Sequence, residues 1–324
     1  MIINSELFKT VDEVRTLVVI DNSFDGLMFP GPKVARRGGM FGDDAGTTAD
    51  KPSLVGEHGY SLYIEWLIGE EKHAIMMDFG GSEAAAAHNA EVLGLDLTKI
   101  DAMVLSHGHL DHFRGVSRLA DMAMQGRPEL PFYTGVEAFA HRYFSIPGRA
   151  PIDLLQLSPN MVTDKGLSIQ EVTDSIAILP GLLLLANVPR VTDFELGQPF
   201  LEIERNGALE KDTFPGELSL VFNLANKGLV LITACSHAGF VNIMQEACKV
   251  TGEDRVYAIL GGFHLTGAPP EKIEKTLQAI TAKHPDVLVP MHCTGFPAIK
   301  AMSDQLSEAF IPNTAGSEYI MKCS

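Results

Sequence analysis

DAMVLSHGHLDHFRG, residues 101–115, joins a short apolar segment to a run of side chains that commonly bind metal ions. Residues 102–105 predict a strand, which leads directly into His107, His109, Asp111 and His112. At the end of a strand the chain turns, so residues two apart in the sequence can face the same point. The spacing therefore predicts two metal positions, one shared by the first two histidines and one faced by the Asp-His pair.

The mixture of ligand types indicates which metals this run can hold. Neutral imidazole combined with carboxylate suits Zn²⁺, Fe²⁺ or Mn²⁺ better than Ca²⁺ or Mg²⁺. At the His and Asp frequencies of this chain, an HxHxDH run would arise by chance about once in a thousand such sequences. We therefore expect two divalent metal ions, with zinc as the first choice and manganese or iron as alternatives.

Composition limits the class of protein. The chain has 324 residues, of which 46% are hydrophobic and 20% charged, so it can bury a large core and is not a disordered chain. It has 25 Lys and Arg against 41 Asp and Glu, and the formal net charge of −16 repels phosphate backbones. We therefore expect a small-molecule substrate and no nucleic-acid partner. The oligomeric state stays open.

Cysteine usage and hydropathy indicate the compartment. The chain has four cysteines and no CxxC pair, which excludes a thiolate zinc knuckle and a thioredoxin-like redox motif. The N-terminal residues mix charges early and lack a basic start followed by an apolar run. The longest apolar stretch, 176–188, is interrupted by Pro180 and Gly181 and is too short to span a bilayer. We expect a cytoplasmic protein without membrane contact.

Short apolar runs alternate with helical patterns along the chain. Strands are predicted at 17–20, 61–66, 74–77, 102–105, 220–224, 229–233, 256–260 and 287–289. Helices are predicted at 115–124, 136–143, 240–250 and 269–283. Two Pro-containing stretches, 25–56 and 145–166, are predicted to be loop insertions, either lids over a binding site or ordinary insertions. No Ser/Gly linker divides the chain, so we predict one α/β domain over residues 1–324.

The HxHxDH run resembles the signature of the metallo-β-lactamase superfamily, and three further segments support the resemblance. Asp78 lies in IMMDFGGS, which is similar to the early strand-turn motif of that superfamily. His237 ends the run GLVLITACSH, and His292 lies in VLVPMHCTG, which resembles the late PGH element. The resemblance spans roughly residues 15–295. It implies a four-layer αββα sandwich, an α/β fold of the α+β type, with the metal ions at one edge.

The resemblance also implies which side chains hold the two ions. Asp78 is expected to orient the metal-binding loop from behind the ligands. The implied metal ligands are His107, His109, Asp111, His112, His237 and His292.

The chain departs from the lactamase-type pattern at two positions. No histidine lies between His141 and His237, so the usual third ligand is missing where residues 215–218 align. Either Glu217 replaces that ligand or the position is empty. The usual bridging Asp or Cys is replaced by the triplet CSH at 235–237, in which Cys235 is either a ligand or a small buried filler. The division of the ligands between the two ions therefore stays open.

Two further histidines are candidates for the site. His264 follows an apolar strand and a Gly pair, and Gly allows the backbone to approach a ligand closely. It is either a catalytic group, through substrate contact, proton donation or metal binding, or a histidine of the core. His58, in GEHGYS, is placed near the site by the family resemblance.

A narrower resemblance suggests the type of reaction. Segments such as EHGYSLYIEW, ACSHAGFVNI and PMHCTG are similar to the subgroup that contains the dihydropterin–ribofuranosylaminobenzene phosphate synthases of archaeal pterin biosynthesis. Many members of that subgroup are described as metal-dependent hydrolases. The leading hypothesis is a dinuclear metal-dependent hydrolase that uses a metal-bound hydroxide on a small ester, lactone or phosphoester. Asp111 would both bind metal and orient the nucleophile.

Two alternatives to hydrolysis remain. The first is a transferase that joins a dihydropterin methyl diphosphate to an aminobenzene ribofuranosyl phosphate. The second is a metal-binding protein without catalytic activity. No organic cofactor is expected, because the chain lacks the length and the Gly/Ser phosphate loop of an added flavodoxin-like domain.

Overall fold

The computed structural model of this protein describes residues 6–42 and 52–323. Nineteen strands are found in these residues: β1 (Thr10–Val11), β2 (Glu13–Ile20), β3 (Val34–Arg36), β4 (Ser61–Ile68), β5 (Glu71–Met77), β6 (Ala102–Leu105), β7 (Leu130–Gly135), β8 (Arg142–Phe144), β9 (Ile152–Asp153), β10 (Leu167–Val172), β11 (Ile176–Leu179), β12 (Leu182–Leu185), β13 (Leu201–Arg205), β14 (Ala208–Lys211), β15 (Ser219–Leu224), β16 (Gly228–Thr233), β17 (Val256–Gly261), β18 (Val287–Pro290) and β19 (Ser317–Lys322).

The same residues contain seven α-helices and two described 3₁₀ turns. The α-helices are α1 (Glu83–Val92), α2 (Leu110–Phe113), α3 (Val116–Ala123), α4 (Asn160–Thr163), α5 (Phe240–Thr251), α6 (Pro270–Thr281) and α7 (Phe296–Gln305). The 3₁₀ turns are Leu97–Lys99 and His292–Thr294. In this part of the chain, none of the helices combines the length and the apolar character needed to cross a membrane.

The described strands form two large sheets and one small sheet. The first sheet has the order β10-β7-β6-β5-β4-β2-β19-β3. The second has the order β11-β12-β15-β16-β17-β18, with β1 paired to β15. In the first sheet, β5, β6, β7 and β10 run parallel to one another; in the second, β16, β17 and β18 do so. The carboxyl ends of β5–β6 and of β16–β18 supply the loops that form the site described below.

The two large sheets pack face to face, and helices cover their outer faces. Between the sheets lies one apolar cluster, to which the first sheet contributes Ile64 and Ile75 and the second contributes Val230 and Leu260. A second cluster joins the outer face of the first sheet to α1, α3 and α4. A third joins the outer face of the second sheet to α5, α6 and α7. Helix, sheet, sheet and helix follow one another, so the predicted four-layer αββα sandwich is confirmed.

Burial on both faces explains why several strands are continuous apolar runs. In β16, Val230 and Ile232 face the cluster between the sheets, whereas Leu229 and Leu231 face the helices. Alternate residues of a strand point to opposite faces, so a strand in the middle of four layers requires apolar residues at every position. This is why GLVLIT was recognisable as a strand from its sequence.

A small third sheet, in the order β14-β13-β8-β9, lies outside the four layers. The predicted helix at 136–143 is wrong, since residues 136–139 form a turn and β8 begins at Arg142. β8 instead pairs with β13, with Arg142 opposite Ile203 and Phe144 opposite Leu201. A partner so distant in the sequence cannot be read from a local periodicity.

The two predicted loop insertions contain short regular elements. The stretch 145–166 includes β9 and α4, and the stretch 25–56 includes β3. Within the stretch 25–56, residues 43–51 lie outside the described residues. The extent of the domain and the covering role of these insertions stay predictions.

Candidate metal centre

The candidate site is built from side chains that follow the carboxyl ends of five parallel strands. Asp78 follows β5, and the HGHLDH run follows β6 in the first sheet. In the second sheet, Cys235 follows β16, His264 follows β17 and His292 follows β18. The carboxyl ends of parallel strands meet at one edge of the sandwich, so residues more than a hundred positions apart come together there.

Three imidazoles converge on one point, which we call the first position. His107 Nε2 lies 3.1 Å from His109 Nδ1 and 3.2 Å from His237 Nε2. Zinc–nitrogen bonds of about 2.0–2.1 Å in a tetrahedron would separate two ligand nitrogens by roughly 3.4 Å. Burial above all lowers the pKa of each of these histidines well below the ordinary value. The three rings are therefore neutral, as metal ligands must be.

The tautomers of two histidines follow from a single carboxylate behind them. Asp78 accepts hydrogen bonds from Ser106 N (2.7 Å), Ser106 Oγ (2.6 Å) and His112 Nδ1 (2.6 Å). Because the Ser106 hydroxyl donates to Asp78, it accepts from His107 Nδ1 at 2.9 Å. Both rings thus keep their proton on Nδ1 and present the lone pair of Nε2 to the site. These lone pairs are donors for a cation, so the residues fit a divalent metal ion.

Asp111, His112 and His292 form a second group, which we call the second position. Asp111 Oδ2 lies 3.2 Å from His292 Nε2 and 3.6 Å from His112 Nε2. Burial alone would raise the pKa of Asp111, but His112 and His292 outweigh it and hold that pKa well below its usual range. Burial disfavours the charged form of His292, yet its contact with Asp111 raises its pKa to about 9. The ionised Asp111 carboxylate therefore favours a positive charge at the second position. Either a second proton on His292 or a bound cation supplies that charge.

His58 contacts the second position directly, whereas Glu217 binds the backbone behind the first position. His58 Nε2 lies 3.2 Å from Asp111 Oδ2, and its side chain is largely exposed. The Glu217 carboxylate accepts hydrogen bonds from the backbone N–H groups of His237 (2.7 Å) and Ala238 (2.8 Å). Burial raises the pKa of Glu217 to about 7, against the effect of those two hydrogen bonds. The structure thus places His237, rather than Glu217, beside the first two histidines.

Cys235 and His264 both lie at the centre of the cluster. Cys235 is buried, and its Sγ lies 3.3 Å from His112 Nε2. The ring centroid of His264 lies 4.4 Å from that of His237. The ligand atoms of Cys235, His237 and His264 all lie within 4.8 Å of one another. All the site residues suggested by the sequence are therefore in or directly behind one cluster.

Two other residues at the site, Phe214 and Cys293, were not predicted from the sequence. Phe214 stacks on His237, with ring centroids 3.9 Å apart and planes 7° apart. Asp21 accepts a hydrogen bond from the backbone N–H of His292 at 3.0 Å. Cys293 lies beside the cluster, and its position directly after His292 is the one signal that could have found it. For Phe214 the sequence offers no such signal.

Glycine is required at the centre of the HGH run because the backbone there is in close contact with its surroundings. A Cβ at Gly108 would lie 2.1 Å from the carbonyl oxygen of Ala138 and 2.6 Å from Nη1 of Arg142. Arg142 is itself buried and pairs with buried Asp212 at 2.7 Å. The turn between His107 and His109 therefore packs closely against Arg142 of the small third sheet.

A cavity of about 540 Å³ opens onto both positions. His109, Asp111, Cys235, His264 and His292 line its floor. The remaining described lining residues are mainly apolar or uncharged: Asn22, His58, Leu110, Phe144, Leu154, Gln198, Phe200, Leu201, Thr266 and Cys293. No Lys or Arg is among the described residues that line the cavity. Its size suits a small molecule.

Comparisons with known proteins agree with this geometry. A family model described as the metallo-β-lactamase superfamily matches residues 63–122. The chain is 27% identical over 259 residues to the 7,8-dihydropterin-6-methyl-4-(β-D-ribofuranosyl)-aminobenzene-5'-phosphate synthase of Methanocaldococcus jannaschii, covering 78% of this chain and 86% of that relative.

Solved structures share the fold. The chain is similar to Tm1679, a metal-dependent hydrolase of the β-lactamase superfamily, with a TM-score of 0.73, 24% identity and coverage of 95% of this chain and 99% of that chain. It is also similar to the metallo-β-lactamase fold protein YhfI from Bacillus subtilis, with a TM-score of 0.51, 11% identity and coverage of 96% and 100%. The resemblance that the sequence predicted is confirmed.

Proposed function

We propose that this enzyme of the metallo-β-lactamase fold is a dinuclear metal-dependent hydrolase of small esters, lactones or phosphoesters. The observation that supports the proposal best is the convergence of three neutral imidazoles at 3.1 and 3.2 Å, beside a carboxylate held ionised by its own histidines. His107, His109 and His237 would hold one ion, and Asp111, His112 and His292 the other. Zinc is the expected metal, because buried imidazoles dominate the ligand set.

When bound, divalent ions supply Lewis acidity that acidifies water and stabilises negative charge developing on a carbonyl or phosphoryl oxygen. Asp111 lines the cavity with an ionised carboxylate, so it can accept a hydrogen bond from an attacking water and orient its lone pair towards the substrate. His58 lies on the solvent side of that carboxylate and restrains it at 3.2 Å.

The position and the backbone conformation of His264 support a catalytic role. It lines the cavity and lies beside the ring of His237. Its backbone has a φ of 46°, in the left-handed region that non-glycine residues rarely adopt. Such a conformation persists only where the surrounding structure enforces it. We propose that His264 stabilises charge on the reacting group or donates a proton to the leaving group.

The lining of the cavity favours a substrate with an apolar part and little charge. Phe144, Leu154, Phe200 and Leu201 supply an apolar part of the cavity lining. No cationic side chain among the described lining residues would offset the charge of a diphosphate, and the whole chain carries −16. This observation supports neutral esters and lactones over highly phosphorylated substrates.

The test is a substrate panel on the zinc-reconstituted full chain. Aryl and alkyl esters, lactones, phosphomonoesters and phosphodiesters would be compared at matched concentrations. We expect turnover of at least one ester or lactone class that disappears on chelation and returns with Zn²⁺. A reconstituted protein that turns over none of these compounds would contradict hydrolysis.

Replacement of His109 by Ala removes one of the three imidazoles of the first position. We expect bound metal to fall by about half or more and turnover to be lost. Metal content by elemental analysis and initial rates would be measured together. His284→Asn is the matched control, because His284 is exposed and Asn tolerates its positive φ. Full metal content and rate in His109→Ala would exclude His109 as a ligand.

Transfer is a second candidate, supported by the 27% identity to the archaeal synthase over most of both chains. In that reaction the aminobenzene compound would attack the pterin methylene and diphosphate would leave. Release of pyrophosphate from a pterin methyl diphosphate in the presence of an aminobenzene acceptor would favour transfer. The same assay without turnover, combined with ester or lactone hydrolysis, would favour the leading proposal.

A further inference from the structure

We infer that the small third sheet is the substrate-recognition element of this enzyme, and that it selects a flat, uncharged aromatic group through Phe144 and Phe200. The inference deepens the proposed function and rests on it, because the reacting bond of that substrate would lie at the metal positions. Three features support it: the two faces of the sheet, the arrangement of the two rings, and the cavity that joins them to the metal cluster.

The third sheet has one mainly apolar face and one polar face. Alternate residues of a strand point to opposite faces, and residues paired across two strands share a face. Phe144 lies opposite Leu201 and Arg142 lies opposite Ile203 in the pairing of β8 with β13. Leu201, Ile203 and Arg142 are buried. The residues between them form the polar face: Tyr143, Glu202 and Asp153. The sheet therefore turns its apolar face, with Phe144, towards the rest of the protein.

The rings of Phe144 and Phe200 line the cavity as a nearly perpendicular pair. Their centroids lie 6.0 Å apart and their planes are inclined by 69°. The backbone N–H of Ser145 donates a hydrogen bond to the carbonyl oxygen of Phe200 at 2.8 Å, so the backbone that carries both rings is fixed. An aromatic ring has a negative face and a positive edge. A third ring bound here can stack on one phenylalanine and meet the other edge to face.

Phe200 keeps accessible surface in the cavity. It is 40% exposed although it lines the cavity. A bound molecule would bury that surface, and lining by aromatic side chains is typical of small-molecule sites. Contact between two aromatic rings is favourable beyond the area that it buries, which contact with a saturated group is not. The exposed ring of Phe200 therefore favours an aromatic group over an alkyl group of the same size.

The cavity connects the two rings to the metal positions. Its lining includes Asp111 of the second position together with Phe144 and Phe200. The sheet is also in close contact with the first position, since a Cβ at Gly108 would lie 2.6 Å from Nη1 of Arg142. An aromatic group held on the sheet would therefore extend the rest of the substrate along the cavity towards Asp111.

The first experiment measures binding independently of turnover. The zinc-reconstituted full chain is titrated in a calorimeter with 2-naphthamide and with its saturated counterpart, decahydro-2-naphthamide. Both probes are neutral and similar in size, but only the first is aromatic. We expect the wild-type chain to bind 2-naphthamide about three- to tenfold more tightly than the saturated amide. Phe144→Leu and Phe200→Leu should each reduce this ratio to below about two, because Leu keeps an apolar side chain but removes the ring.

Two further variants serve as controls for the binding experiment. Phe200→Tyr keeps a ring and should keep the wild-type ratio. Phe29→Leu removes another exposed ring of an aromatic pair, because Phe29 is 67% exposed and stacks on Phe41. Phe29 lines a different cavity, so this variant should also keep the wild-type ratio.

The second experiment measures hydrolysis of a matched pair of esters, 2-naphthylmethyl acetate and decahydro-2-naphthylmethyl acetate. Both release a primary alcohol, so they differ mainly in the aromatic group. We expect the wild-type chain to have the higher kcat/KM for the aromatic ester. In Phe200→Leu the loss should appear as a higher KM with little change in kcat, because the ring contributes binding without touching the reacting bond.

The possible outcomes separate this inference from the proposed function. Equal affinity of the wild-type chain for both amides would overturn the inference, whatever esters the chain hydrolyses. An aromatic preference that survives in both Phe144→Leu and Phe200→Leu would also overturn it, because the ring would then bind elsewhere. An aromatic preference without hydrolysis of any ester would contradict the proposed function and leave the recognition by the sheet standing. The wild-type comparison decides the preference even if a Leu variant fails to fold.

Discussion

The Asp78 carboxylate orients two histidines of the candidate centre, His112 directly and His107 through Ser106. It receives hydrogen bonds from Ser106 and His112, and through Ser106 it sets the tautomer of His107. Its backbone has a φ of 57°, and His264 and His292 also have positive φ. Strained backbone conformations concentrate where a site must hold side chains in particular directions.

Asp78→Asn tests this orienting role with little change in shape, since Asn tolerates positive φ. The amide would present an N–H to His112, which would then carry its proton on Nε2, the atom that faces the metal position. We expect metal affinity to fall by about 10–100-fold with the fold retained. Competition with a chromophoric chelator measures this, and exposed Asp96→Asn serves as control. Equal affinity in wild type and Asp78→Asn would refute the orienting role.

At the level of elements, the strands that enter the sandwich were predictable and the small third sheet was not. β6 is found at 102–105 as expected, and β15–β18 differ from prediction only at their ends. These strands are buried on both faces, so their apolar runs are unambiguous. The local pattern predicts β8 as part of a helix, because the pairing of β8 with β13 and the ion pair of Arg142 with Asp212 join residues distant in the sequence.

The buried pair of Arg142 and Asp212 lies beside the HGH turn, since a Cβ at Gly108 would lie 2.6 Å from Nη1 of Arg142. Arg142→Met would leave the Asp212 carboxylate buried without its cation, which costs about 3–5 kcal/mol of the free energy of unfolding. Arg142→Met combined with Asp212→Asn removes the unpaired charge and keeps an acceptor for Phe214 N. We expect the double variant to regain at least half of the loss in urea denaturation. A single-variant loss below about 1 kcal/mol would show that the pair contributes little.

At the scale of the whole molecule, the candidate centre lies on the seam between the two large sheets. His107 comes from the first sheet and His237 from the second, and their ring nitrogens are 3.2 Å apart. Away from the ligands, Tyr60 of the first sheet donates a hydrogen bond to the carbonyl oxygen of Thr233 in the second at 2.8 Å. A bound ion would therefore connect the two halves of the sandwich.

Metal removal should accordingly lower the stability of the entire fold. A ligand present at a thousand times its Kd stabilises the native state by about 4 kcal/mol, which for a chain of this length corresponds to roughly 6 °C in Tm. We expect chelation to lower the Tm of the reconstituted wild-type chain by about that amount in scanning calorimetry. His109→Ala should show a smaller shift. An unchanged wild-type Tm on complete metal removal would contradict the connecting role.

The ligand types and the fold class follow from local sequence, because strand periodicity and the HxHxDH spacing are properties of neighbouring residues. The division of the ligands between the two metal positions does not follow from local sequence. That His237 joins His107 and His109, while Glu217 binds the backbone behind it, results from how β16 is placed against β6. The two sheets meet through burial of apolar surface along the entire sandwich, and that packing brings the sulfur of Cys235 to His112 across 123 residues of chain.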